Sequence, residues 1–238
     1  MKLVTLLLIA FVYISSFGFA QTVTIGTQTW TALNLDVATF SNDDAIPEAK
    51  TNEEWVAAGE NEQPAWCYYD NDPKNGTKYG KLYNWYAVND YRGLAPAGWH
   101  VPTDEEWTVL STYLGEDVAG KKMKSTSGWK GYDCKKCNGG SAEFKKTCSA
   151  CKGTQSNSSE PFSSGNGTNS SGFMGLPGGG RYPNGPFLGV GSYGDWWSAS
   201  ESDGTDAWGR GLGSSYSILY RGSSSTKPAG VSVRCVKD

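Results

Sequence analysis

Two phrases far apart in the chain constrain its fold more than anything else. One is G-L-A-P-A-G-W-H-V-P-T-D-E-E-W, running from Gly93 to Trp107; the other is V-S-V-R-C-V, Val231 to Val236, at the end. The first joins a Pro/Gly turn to a helix start, because Thr103 followed three residues later by Glu106 is a capping box. The second alternates apolar and polar residues as a strand does and carries Cys235. Together they predict a compact domain that closes its first half against its last strand.

The helix opened by Thr103 places Trp107, Leu110, Tyr113 and Leu114 on one face, and Gly115 stops it. The same device recurs at Thr51 and Glu54, where T-N-E-E-W-V-A-A-G starts a helix that Gly59 is expected to end. Residues 22–35 alternate as two short strands around Gly26. Between the two helices, W-C-Y-Y-D from Trp66 and Y-G-K-L-Y-N-W-Y-A-V from Tyr79 read as aromatic strands or buried segments. Beyond Gly172 come short strands split by glycine: F-L-G-V-G, D-W-W-S-A-S, A-W-G-R-G-L-G and S-I-L-Y-R. A chain with 31 Gly, 10 Trp and 13 Tyr is suited to tight turns around an aromatic core, not to a helical bundle. Early helices and late strands predict an α+β fold, with two helices packed on short, twisted antiparallel sheets. The simplest partition is one loop-rich domain over 21–238, interrupted at 130–172 by a polar, cysteine-rich insertion.

The first 20 residues are read as a secretory signal peptide, since one Lys precedes an apolar run and Gly18 and Ala20 stand at the −3 and −1 positions of a cut before Gln21. A buried N-terminal strand or helix is the alternative. No Cys follows the cut, which argues against a lipid anchor, and no other long apolar run is present. The expectation is a secreted protein, extracellular or at the cell surface, without a membrane span. A net charge of −3 argues against a nucleic-acid partner.

The phrases G-W-H-V-P-T-D-E-E-W, W-W-S-A-S-E and S-V-R-C-V resemble the Fibrobacter succinogenes major paralogous domain family. I-G-T-Q-T-W-T-A-L-N-L, Y-G-K-L-Y-N-W-Y-A-V and L-P-G-G-G-R fit the same pattern, so the resemblance covers nearly all of residues 23–237 outside the cysteine-rich stretch. That family is in turn similar to the C-type-lectin-like fold in its formylglycine-generating-enzyme variety. There a P-T-E-x-E-W helix start and a final R-C strand play comparable parts. Variable proteins of diversity-generating retroelements use the same fold and bind diverse ligands through the region before the last strand. The family is known mainly as secreted or surface proteins without an assigned reaction, so the resemblance speaks to fold far more than to activity.

Six cysteines are present. Cys134 with Cys137 and Cys148 with Cys151 form two C-x-x-C pairs, a spacing that suits one tetrahedral zinc. The stretch also resembles half of the zinc-finger repeat of J-domain chaperones. A structural zinc would staple an insertion that lacks its own core. Export favours disulfides instead, and a redox C-x-x-C is the third reading. Cys67 and Cys235 remain, and a disulfide between them would join the two halves, worth about 4–5 kcal/mol in the chain-entropy model. Two buried free thiols are the alternative. Formylglycine-generating enzymes place their active cysteines a few residues apart near the C-terminal region. No such pair stands there in this chain, so a non-catalytic protein is expected.

His100 is the sole histidine, which excludes a multi-histidine metal site; it is read as packed beside Trp99 in a turn. Asp70, Asp72 and Asn75 are hard oxygen ligands that suit calcium, but their spacing departs from an EF-hand, and a turn is the stronger reading. Asp203 and Asp206 are read the same way. The stretch Trp196–Ser225, rich in Trp, Tyr, Ser, Asp, Arg and Gly, has the composition of an adaptable binding surface. Its candidate ligand-binding residues are Trp197, Trp208, Arg210, Tyr216 and Tyr220, with at least one of Trp196 and Trp197 buried because neighbours on a strand face opposite ways. The functional expectation is a non-catalytic domain binding a glycan or a cell-surface protein. A self-associating surface protein is the alternative, and an oxidase of the formylglycine class the third reading.

Overall fold

The computed structural model describes residues 21–130 and 165–238. The expected signal peptide and the four clustered cysteines, Cys134, Cys137, Cys148 and Cys151, lie outside the described residues.

The two phrases meet. Strands β1 (Thr22–Ile25) and β2 (Gln28–Thr31) form a hairpin in which Gly26 takes the left-handed φ of 62° that the turn requires. Strand β11 (Val236–Lys237) pairs antiparallel with β2 on one side and with β5 (Trp99–His100) on the other, with Val236 opposite His100. The sheet order is therefore β1-β2-β11-β5. Most of V-S-V-R-C-V is nevertheless not a ladder strand. Val231 bridges to Tyr83 and Ser232 to Trp196, while the carbonyls of Val233 and Cys235 accept from Leu35 and Thr31. Each residue bonds a different element, so the segment is threaded through the core and satisfied piece by piece.

Both capping boxes form. Thr51 and Glu54 open α1 (Asn52–Glu60), and Thr103 and Glu106 open α4 (Asp104–Leu114). Gly115 ends α4 with φ 88°. Gly59 does not end α1. It lies inside the helix because a Cβ there would come within 2.8 Å of Pro228. On α4, Trp107, Leu110 and Leu114 are buried, but Tyr113 is exposed and lies over Gly26. Three shorter helices accompany them: α2 (Pro73–Tyr79), α3 (Trp85–Val88) and α5 (Ala119–Met123). They are too short to show a periodicity in the sequence. Asp72 caps α2 by accepting from the Lys74 amide, so it acts as a helix cap. Among the described residues no group of three or more His, Cys, Asp or Glu side chains could hold a metal ion.

Two-stranded pairs join β3 (Trp66–Cys67) to β4 (Leu82–Tyr83) and β6 (Gly180–Arg181) to β7 (Phe187–Leu188). A three-stranded antiparallel sheet, in the order β10-β9-β8, is built from β8 (Tyr193–Glu201), β9 (Asp206–Gly213) and β10 (Tyr220–Thr226). Trp196 joins one core cluster with Trp30, Trp107 and Phe173, whose ring centroids lie 4.6–6.5 Å apart. Trp197 joins another with Tyr83, Trp85 and Val233. The expected α+β architecture with antiparallel sheets is present. Among the described residues no helix is long and apolar enough to cross a membrane.

The expected Cys67–Cys235 disulfide is corrected: both are free, buried thiols. Cys67 packs with Ala49, Leu82 and Trp55, whereas Cys235 belongs to the separate cluster around Tyr83 and Val233. Burial pushes the thiol pKa of Cys67 up to about 11 and that of Cys235 to about 12, so neither is a ready nucleophile. Peptide mapping should therefore find Cys67 and Cys235 alkylated by iodoacetamide only after denaturation, and without any reductant. A requirement for reductant would show that they are bonded.

Candidate ligand-binding cleft

The site begins with an alternation of glycines. In β9, A-W-G-R-G-L-G puts Gly209, Gly211 and Gly213 at every second position, so from Gly209 onward one face of the central strand carries no side chains of its own. The register sets what stands on either side. Asp195 of β8 and Tyr220 of β10 both lie opposite Gly211, Tyr193 lies opposite Gly213, and Trp197 and Gly222 lie opposite Gly209. With strands about 4.8 Å apart, β8 and β10 face each other across a trench of roughly 10 Å.

That trench is the base of a cleft of about 570 Å³, walled by Tyr193, Tyr216, Ile218 and Tyr220 with Asp195 at its base. The three tyrosines are 46%, 55% and 58% exposed. The glycines are required by space: a Cβ at Gly211 would come within 2.6 Å of Asp195 Oδ1, and one at Gly213 within 2.5 Å of the Tyr216 ring.

Two cations frame the cleft without entering it. Lys124 Nζ donates to the carbonyls of Gly213 at 3.0 Å and Tyr216 at 2.9 Å, which fixes the turn carrying Tyr216. Burial pulls the Lys124 ammonium down to about 8. Arg210 lies on the other face of β9 and donates to Asp104 Oδ1 at 2.5 Å, to the Asp104 carbonyl and to Thr108 Oγ1. Arg221 pairs with Asp104 as well, Nη2 to Oδ2 at 2.8 Å. Burial of Asp104 works against its ionisation, but hydrogen bonds from Arg221 and Arg210 outweigh it and hold its carboxyl below the ordinary value.

Asp195 is different. It is partly buried, and among the described residues no hydrogen bond or ion pair reaches its carboxylate. Burial alone pushes its pKa up to about 7. An acid in this state has two chemical uses: to pair with a cation brought from outside, or to donate a hydrogen bond as the neutral acid.

Of the five ligand-binding candidates read from sequence, Tyr216 and Tyr220 come together in the cleft. Trp197 does not: it is fully buried and its indole donates to the Tyr83 carbonyl at 2.8 Å. Arg210 is buried and committed to the start of α4, so it is a strut between sheet and helix. Trp208 is covered by the Arg221 guanidinium at 3.4 Å from its ring. Sequence reasoning missed Tyr193, Asp195 and Ile218. The available signal was the G-x-G-x-G alternation, which marks a strand face left open. The lone His100 lies 2.7 Å from both Glu106 and Asp238, where it ties the closing strand to the α4 cap. Burial lowers its pKa, but hydrogen bonds to Asp238 and Glu106 outweigh this and raise it overall.

Because the folded-state pKa of Asp195 is above its unfolded value, the native state holds that proton more tightly. Its contribution to stability therefore declines as pH rises from about 4 to about 7. Asp195→Asn should leave thermal stability unchanged near pH 4 and raise it at pH 8. The gain should be on the order of 1–2 kcal/mol, since solvent in the cleft moderates the full shift. Urea titrations at the two pH values read this directly, and equal stabilities at pH 8 would show a well-solvated carboxylate.

Residues 23–237 match the Fibrobacter succinogenes major domain. No curated protein and no solved structure matches the chain. With the match running from β1 to β11, the chain belongs to the Fibrobacter succinogenes major domain family.

Proposed function

We propose that this chain is an exported, non-catalytic binding domain on a C-type-lectin-like scaffold, and that its ligand enters the cleft over β9. A glycan on a cell surface or matrix is the partner the cleft suits best. The observation that carries this reading is the grouping of Tyr193, Tyr216 and Tyr220 around a cleft whose base is formed by Gly211, Gly213 and Asp195. Tyrosine presents a flat apolar face to a sugar ring and a hydroxyl to its hydroxyl groups, and it loses little conformational entropy on binding. A volume of about 570 Å³ lies in the ordinary range of small-ligand sites. Loss of the Lys124 anchor, which would let the Tyr216 turn move, gives a second route to the same phenotype.

Binding to a glycan array, followed by calorimetry on the hits, tests the reading. Tyr216→Ala and Tyr220→Ala should each weaken binding about tenfold, the loss of one ring contact of about 1.4 kcal/mol. Trp208→Ala, outside the cleft, should bind as wild type does. Retained affinity in both tyrosine variants, or an array without any signal, would refute the proposal.

A further inference from the structure

The carboxylate at the base of the cleft narrows the chemistry of the ligand. Asp195 accepts no hydrogen bond and pairs with no cation among the described residues, although cations are close. Arg210, on the neighbouring strand, also lines the small cavity behind Asp195, but its guanidinium is directed at Asp104. Arg221 on β10 is bound to the same Asp104. Lys124 is committed to backbone carbonyls, and Lys130 lies along Gly191 on the turn leading into β8. The ionisable neighbours on the cleft walls are the phenols of Tyr193, Tyr216 and Tyr220. Three electron-rich rings and an uncompensated acid together form a receptor for an ammonium group, held by charge below and by ring faces at the sides.

Resting on the reading of the cleft as the ligand site, we infer that the ligand is a hexosamine with a free amino group: its ammonium pairs with Asp195 while its sugar face lies on the tyrosines. A lysine side chain offers the same ammonium on a narrow, flexible stem, which would leave the spread tyrosine rings largely unfilled. A sugar ring brings a rigid flat face. The same arrangement makes binding depend on pH at both ends, because the attraction needs an ionised carboxylate and a protonated amine together. Burial holds Asp195 near 7, so the attraction fades as pH falls through that value.

Calorimetry with four tetrameric probes tests the inference: glucosamine, N-acetylglucosamine, glucose and lysine oligomers. The glucosamine oligomer should bind at least about tenfold tighter than the acetylated one near pH 7, and should lose about fivefold in affinity at pH 5.5 and more at pH 9, where the amine is neutral. Asp195→Asn, which keeps the shape of the side chain, should abolish both the preference and the pH dependence. Equal binding of the acetylated and free-amine oligomers, or a preference that survives Asp195→Asn, would overturn the inference. If those sugars still required Tyr216, the cleft would remain the ligand site and only the amine would be wrong. Tighter binding of the lysine oligomer would overturn the sugar assignment. Failure of all four probes would overturn the amine inference, while the glycan array judges the cleft separately.

Discussion

Asn34 is the joint on which the described structure turns. Its Oδ1 accepts from Arg234 Nε at 2.7 Å and from Trp196 Nε1 at 2.8 Å, and its Nδ2 donates to the Tyr79 carbonyl and to Ser232 Oγ. One side chain thus ties the end of α2, the three-stranded sheet and the closing segment to the loop after β2. Arg234 completes the joint. It is buried, lies 4.5 Å from the Phe173 ring centroid, and donates also to the Thr31 carbonyl at 2.6 Å. Among the described residues no carboxylate pairs with it, and burial pulls its pKa down to about 9, which still leaves it charged near neutrality. A guanidinium buried on neutral acceptors is tolerated only while every acceptor is in place, so this joint is all-or-none. Arg181 repeats the arrangement at α1, donating to the carbonyls of Ala49, Thr51 and Gly185.

The cleft inherits its geometry from these joints. Trp196 reaches Asn34 on one face of β8, and Trp197 reaches the Tyr83 carbonyl on the other, so β8 is gripped on both sides. Arg210, Arg221 and Asp104 hold β9 and β10 against the start of α4. Lys124 fixes the turn between β9 and β10. What is left is the cleft over Gly211 and Gly213, with the tyrosines and Asp195 around it. Asp195 has no partner among the described residues, whereas Arg210, Arg221 and Asp104 on the other side of the same sheet satisfy one another. That contrast is the physical ground for assigning the cleft to a ligand.

Local chemistry was legible in the sequence; long-range geometry was not. Both capping boxes could be read because Thr51 with Glu54, and Thr103 with Glu106, interact within one helical turn. The strand character of the last segment could be read because V-S-V-R-C-V alternates apolar and polar residues. The free state of Cys67 and Cys235 could not, because pairing depends on which core cluster each thiol enters. At least one of Trp196 and Trp197 was expected to be buried. Both are buried because the sheet has core on each face there. Asp195 sits beside two tryptophans in the sequence and gives no sign of its isolation. Its surroundings follow from the register of three strands, in which Gly211 stands between it and Tyr220.

Asp195 is a carboxylate at the base of a tyrosine cleft, and none of the described residues supplies it with a cation. Carbon-13 NMR titration of its side-chain carboxyl, identified by its loss in Asp195→Asn, measures this most directly. The account predicts a midpoint near 7 in the free protein, moving downward when glucosamine oligomer is added. A midpoint near the ordinary aspartate value of about 4, unmoved by the amine, would contradict it.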